Sequence, residues 1–266
     1  MKIAIINYGL ARNYKKTGNK LVEILDENPN NEYHIYNCFW DITKDRDDVS
    51  DNFNYKTVDI NDLNNTYGVY LYKYKVLNSK LWGEFYNMSG EIRKKIGDHN
   101  SIHMINDEGR KNFIKNSIIS QFYCMRESVK LIDQDQDYDY LIVMRFDIEH
   151  HGNELFNYLN INDTIIMDMV RVIHRYKNEK YHDTISYNCD HLGFSSGVFF
   201  GKKDNIVKIC SVYDVIEQNL YDKLDGDLNI PEKFVYAWAL YNSIQFTKLY
   251  GVIKYTLDKK IKNETT

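Results

Sequence analysis

Asp147 and Glu149 stand two residues apart where the apolar run Tyr140 to Phe146 ends. In an extended backbone that spacing puts both carboxylates on one side. In open α/β sheets, ligands bind beyond the carboxyl ends of the strands, so the pair sits where chemistry is usually done. Converging carboxylates repel each other unless a cation lies between them. Mg²⁺ or Mn²⁺ takes one or two protein carboxylates together with phosphate and water oxygens. The pattern points to a divalent cation that holds a diphosphate. A DxE pair can equally do no more than solubilise a strand-to-loop junction.

Other residue types could serve the same chemistry. Gly9 permits a tight backbone turn after the first apolar run, and Arg12 could fork onto a phosphate or carboxylate. The plain alternative is a turn glycine followed by a solvated arginine. Arg145 could neutralise the acids or the diphosphate, or face a buried acid across the sheet. His150 and His151 could complete a metal shell or simply be solvated, with His174 and His191 as distant substitutes. Trp40 and Trp82 could platform a sugar ring, although single tryptophans are more often core, and Trp238 reads as core.

The elements that must position these residues follow from hydrophobic periodicity. Lys2 to Asn7 is expected to be a buried parallel strand, followed by a Gly-containing loop and a helix from about Tyr14 to Leu25. Glu32 to Phe39 reads as the second strand. This β-loop-α-β opening favours an α/β layer architecture. Residues 41–66 read as an irregular polar excursion with one short strand near Tyr55 to Ile60, and Val69 to Val76 as a strand or a helix start. Apolar residues from Phe113 to Ile132 recur at helical steps, which predicts a long helix over Lys111 to Asp133. Tyr140 to Phe146 is a strong buried strand. Asp163 to Val170 and His191 to Gly201 read as strands, and Asp204 as the cap of a helix running to about Leu220. Pro231 and Glu232 open a helix over Phe234 to Tyr241, and Phe246 to Tyr255 returns as a strand. The expected organisation is one domain over residues 1–258 with a polar tail over 259–266.

Composition removes several classes. The 266 residues carry a formal net charge of -4, so no general field attracts a nucleic-acid backbone. Cys38, Cys124, Cys189 and Cys210 form no CxxC pair, which argues against a structural zinc site or a disulfide framework. They read as reduced, mostly buried thiols of a cytoplasmic protein. The N-terminal apolar run is too short for a signal peptide, and no membrane span is expected. Only one glycine lies in the first loop and no GKS/T follows, so neither a Rossmann fingerprint nor a P-loop is present. The 23 tyrosines reflect A/T-rich codons or, for some, a sugar or base pocket.

The run from Tyr138 to Glu149, YDYLIVMRFDIE, resembles the YDYVIRxRxD segment of small GT-A-type glycosyltransferases of bacterial surface-polysaccharide clusters and large DNA viruses. Three further segments are similar in order and rough spacing. They are Ile3 to Arg12 (opening strand, Gly9 and Arg12), Tyr36 to Asp41 (a strand ending in Trp-Asp), and Ser120 to Tyr123 in the helix before the acidic strand. The likeness spans most of residues 1–150 and is thinner beyond.

The resemblance implies a GT-A-like α/β domain with a mixed, mainly parallel sheet flanked by helices. It implies a UDP-, GDP- or TDP-sugar donor whose diphosphate is held by Mn²⁺ or Mg²⁺ on a DxD-type motif, here Asp147 and Glu149. Because the second acid is Glu, whether both touch the metal stays open. Tyr8, Gly9, Arg12 and Arg145 would sit near the nucleotide. A glycan or glycoprotein hydroxyl would be the acceptor, in the host cytoplasm if the protein is viral. An acceptor-side general base would be Asp190 first and Glu232 second. A turn cap and a favourable charge at a helix start are equal alternatives for these two. A metal-dependent nucleotidyltransferase or phosphohydrolase would use the same acids. A non-catalytic nucleotide- or glycan-binding protein would bind without regard to metal.

Overall fold

In a computed structural model, residues 1–43, 55–85, 108–133, 135–148, 165–169, 198–220, 223–224 and 231–250 are described, with backbone alone at 108–118, 165–169, 231–233 and 246–250. The unbroken apolar run at the N-terminus becomes β1 (Lys2–Gly9), in which Ile3 to Tyr8 are all buried. A strand covered on both faces has no polar side to show, so its sequence does not alternate. β1 therefore runs through the middle of the sheet, parallel to β2 (Glu32–Trp40) on one side and to β6 (Tyr140–Arg145) on the other.

The sheet adds β5 (Leu71–Leu77), β7 (Ile165–Met169), β8 (Val198–Gly201) and β9 (Phe246–Tyr250) in the order β5-β2-β1-β6-β8-β7-β9. β8 is antiparallel to both β6 and β7, and every other described pairing in this sheet is parallel. The mixed, mainly parallel sheet expected from the sequence is thus present. A small antiparallel pair, β3 (Ile42–Thr43) and β4 (Lys56–Thr57), stands apart from it.

Helices cover both faces. α1 (Tyr14–Asp26) and α2 (Ile60–Tyr67) lie on one, where Leu21, Ile24 and Leu63 pack on Ile3, Ile5, Ile35 and Phe39. These helices approach closely at Gly18, where a Cβ would fall 2.7 Å from Thr66 Cγ2. The other face is covered by α3 (Glu108–Val129), which crosses β1 and β2, and by α4 (Lys203–Cys210), α5 (Tyr213–Glu217) and α6 (Pro231–Tyr241). Phe122 of α3 is fully buried there against Phe234 of α6, ring centroids 5.3 Å apart. No helix among the described residues is long and apolar enough to cross a membrane.

Three expectations need correction, and one open alternative is settled. The excursion over 41–66 is not wholly irregular, because Ile60–Tyr67 is helical. Its sequence is rich in Asn, and it is held by the Asp59 carboxylate, which accepts from the Asp62 N–H at 3.1 Å, and by packing on α1. Val69 to Val76 resolves into a 3-10 turn, Gly68–Tyr70, followed by strand β5. Asp204 is not a cap and no single helix reaches Leu220. Lys202 precedes α4, and the chain breaks at Ser211 and Val212 before α5. Ile206, Ile209, Cys210, Val212, Tyr213, Val215 and Ile216 are all buried, a set too wide for one helix face. Lastly, β6 stops at Arg145, and Phe146 and Asp147 form a turn, with the Ile148 N–H on the Arg145 carbonyl at 3.3 Å. The expected strand alternation does not carry past Arg145. The unseen parts of the strands expected over 163–170, 191–201 and 246–255, and the tail, lie outside the described residues.

Candidate active site at the switch point of the sheet

From β1 the chain moves outward to β2 and β5, then returns to the opposite side of β1 as β6. Such a reversal leaves a crevice beyond the carboxyl ends of the two diverging strands. β1 and β6 end level with each other, Tyr8 being paired with Arg145. At that level Tyr8, Gly9, Arg12, Arg145 and Asp147 line a cavity of ≈ 330 Å³. This volume is at the lower end of small-molecule sites.

Each of these residues is fixed by a local feature. Gly9 has φ 104, and its N–H donates to Cys124 Sγ of α3 at 3.1 Å. A Cβ there would meet nothing within 4 Å, so the backbone conformation and not crowding asks for glycine. The Thr17 hydroxyl of α1 donates to the Phe146 carbonyl at 2.7 Å, pinning the turn that carries Asp147. Arg145 Nη2 donates to Asp147 Oδ2 at 2.6 Å. The Asp147 side chain is 3% exposed and that of Arg145 31%, so the cation faces the opening and the acid lies beneath it.

Tyr8 is fully buried, and its hydroxyl accepts from Gln121 Nε2 at 3.3 Å. Burial pushes that phenol upward from its ordinary pKa, and the nearby Arg145 charge opposes the rise. The cavity therefore holds two guanidinium groups against one described carboxylate. It suits an anion that presents a pair of oxygens to a planar guanidinium, such as a phosphate.

The far wall is aromatic. Trp40 ends β2, Tyr55 precedes β4, and Trp82 lies in the helical stretch 81–85 after β5. Trp82 stands nearly perpendicular to Trp40 (centroids 5.6 Å, 72°) and to Tyr55 (5.5 Å, 78°). Trp238, by contrast, is core, with its indole N–H on the Lys208 carbonyl at 2.7 Å.

Five residues expected near a nucleotide or its metal, namely Tyr8, Gly9, Arg12, Arg145 and Asp147, thus meet in one cavity. Glu149, Asp190 and the histidines at 150, 151, 174 and 191 lie outside the described residues. Glu232 is the second residue of α6, where the backbone alone is described. Among the described residues no group of three or more His, Cys, Asp or Glu gathers as a metal cluster. Cys38, Cys124 and Cys210 are buried free thiols, as expected. Tyr55, Ser120 and Gln121 were not expected as lining residues. Ser120 and Gln121 carry a weak signal, lying in the helix segment ahead of the acidic strand that the sequence resemblance also covers.

No protein-family model and no curated protein matches the chain. Solved structures do resemble it. One is the apo form of mouse xyloside xylosyltransferase 1, at 10% identity and a TM-score of 0.41, covering 93% of this chain and 84% of that one. Another is 4-diphosphocytidyl-2C-methyl-D-erythritol synthase from Anaerococcus prevotii DSM 20548, at 11% identity and a TM-score of 0.42, covering 94% of this chain and 89% of that one. At such scores the likenesses carry no weight for the chemistry of this chain.

Proposed function

We propose that this chain is a glycosyltransferase with a GT-A-like domain, moving a sugar from a UDP-, GDP- or TDP-sugar to a hydroxyl of a glycan or glycoprotein. The observation that carries the reading is the convergence of Gly9, Arg12, Arg145 and Asp147 on one cavity at the switch point of the sheet. The sequence resemblance of residues 1–150 supports it independently.

In this reading Arg145 and Arg12 bind the diphosphate, and the left-handed turn at Gly9 keeps side-chain bulk away from it. Arg145 donates through Nη2 to Asp147 Oδ2. Two oxygens of a tetrahedral phosphate can also accept from the planar guanidinium, so it can exchange one acceptor for the other. The residues present fit a divalent cation. Asp147 brings one carboxylate to the cavity, and Mg²⁺ or Mn²⁺ needs only one or two from the protein when phosphate and water complete the shell. Asp147, with Glu149 as second acid, would hold the ion, which supplies charge neutralisation for a departing diphosphate. Asp190, or failing it Glu232, would take the proton of the acceptor hydroxyl.

The test is thermal unfolding with UDP, GDP and TDP, with and without Mn²⁺. At ligand a hundredfold above Kd, one diphosphate should raise Tm by roughly 5–10 °C, and only when Mn²⁺ is present. Equal shifts with and without the metal remove the metal site; no shift for any nucleotide removes the donor reading.

A further inference from the structure

The aromatic wall of the cavity contains a hydrogen-bond donor that the described residues leave unused. The Trp82 Nε1 is buried and has no acceptor among the described residues. An indole N–H can only donate, and when buried it usually finds a partner, as that of Trp238 does. Leaving such a group dry is costly, and each one asks for an explanation.

The ring cannot readily turn to find an acceptor. Its backbone is fixed by the turn after β5, where the Ser79 N–H donates to Asp41 Oδ1 at 3.0 Å and the Trp82 N–H to the Ser79 carbonyl at 3.0 Å. Its plane is held between Trp40 and Tyr55, both edge-to-face. Edge-to-face pairs are favoured geometries, so a rotation would give up two of them.

A ligand that fits this wall has a flat apolar body to lie among three aromatic rings and an acceptor at its edge. A nucleobase has that form, and at the opposite wall Arg145 and the Gly9 turn await the anionic end of the same molecule. An exocyclic carbonyl projects beyond the ring and accepts over a wide arc through two lone pairs. The ring nitrogens of adenine accept only along one in-plane direction. A donor locked in place favours the carbonyl.

We infer that Trp82 reads the base of the bound nucleotide, donating its indole N–H to an oxo group, so that the cavity takes uracil, thymine, cytosine or guanine nucleotides in preference to adenine. This rests on the donor reading above, and the experiment separates the two.

Calorimetric titration of the wild type and Trp82→Phe with UDP, GDP, ADP and pyrophosphate, all with Mn²⁺ present, is the measurement. Phenylalanine keeps an aromatic ring against Trp40 and Tyr55 and removes the pyrrole half of the indole with its N–H, so ADP, which can stack but offers no oxo group, reports the loss of ring area alone. The substitution should weaken the better oxo-base diphosphate roughly tenfold and leave pyrophosphate and ADP unchanged, ADP being the weaker nucleotide in the wild type. In the unsubstituted protein, the same bond should shift one indole N–H resonance downfield with that nucleotide and not with pyrophosphate. The inference is overturned if Trp82→Phe leaves every affinity unchanged, if it weakens pyrophosphate equally, if ADP binds best, or if no indole resonance moves. Nucleotide binding that is indifferent to Trp82 sinks this inference alone. A wild type that binds no nucleoside diphosphate sinks the donor reading with it.

Discussion

The two ends of the central strands treat polar groups in opposite ways. At the amino ends of β1, β2 and β6, the polar side chains close on one another. His34 Nδ1 and the Tyr36 hydroxyl each lie 2.6 Å from the Tyr138 hydroxyl, His34 Nε2 lies 3.1 Å from Glu32, and Glu32 also takes Lys2 at 3.1 Å. The Lys2 N–H donates to Asp139 Oδ2 at 2.7 Å, and Tyr72 stacks on His34 at 4.3 Å. At the carboxyl ends, about 20 Å away along the same strands, Arg145, Asp147 and Trp82 stand around a void instead. One end closes its hydrogen bonds within the fold, whereas the other lines a cavity, with Arg145 on Asp147 and the Trp82 indole N–H without an acceptor among the described residues. A polar group surrounded by partners reports on stability. A polar group facing a cavity reports on a ligand.

The sharpest way to break that contrast is a matched pair of substitutions. Asp147→Asn keeps shape and removes charge, and transfer should fall by roughly 10²- to 10³-fold, the usual loss for one electrostatic group at a reaction centre. Because Arg145 is about a third exposed, water can take it over, and stability should change by less than about 1 kcal/mol. Tyr138→Phe should do the reverse. It strips a partner from both His34 and Tyr36, costing about 1–3 kcal/mol in urea denaturation and leaving turnover alone. If Asp147→Asn unfolds the protein, or Tyr138→Phe slows transfer without destabilising it, the division of labour between the two ends is wrong.

Sequence reading reached the open end in outline because its signals are local. Continuous apolar runs mark strands buried on both faces, so β1 and β6 were legible, and the residues where they give out (Gly9 and Arg145 to Asp147) mark their carboxyl ends. What was missed depends on distant packing. Ile60–Tyr67 buries only Leu63 and Tyr67, too few for a periodic signal, and owes its helix to α1. Asp147 was expected on extended chain but sits in a turn held by Thr17, which bonds the Phe146 carbonyl from 129 residues earlier in sequence. Tyr55 and Trp82 join the cavity only because the β3–β4 pair and the β5 turn fold over the end of β2, through the Val58 N–H on the Asp41 carbonyl and the Ser79 N–H on Asp41 Oδ1, both 3.0 Å. No spacing rule within one segment contains such contacts.

The smallest expected effect is a slope instead of an offset, and it belongs to the closed end. His34 has its pKa lowered, first by burial and then by the nearby Lys2 charge, which together outweigh the opposing pull of Glu32. A lowered value means that the unfolded chain, with histidine near its ordinary 6.5, binds the proton more readily than the folded one. Stability therefore rises with pH wherever the unfolded state carries the extra proton. Above about 6.5 both states hold a neutral ring and His34 contributes no slope; as pH falls from there towards the lowered folded value, stability is progressively lost. Glu127 has a window of its own at more acid pH. Burial raises its pKa, but hydrogen bonds from Lys130 and Lys75 outweigh that and hold it below the ordinary carboxylate value. Its contribution is complete above about 4.3 and goes only as the pH drops through the folded value. Urea midpoints at closely spaced pH values should resolve two declines on acidification, and His34→Gln should flatten the one that starts near 6.5 while sparing the other. If the midpoint of the unsubstituted protein instead rises on acidification through pH 6.5, His34 gains more from Glu32 than it loses by burial, and the closed end is held by an ion pair and not by a neutral network.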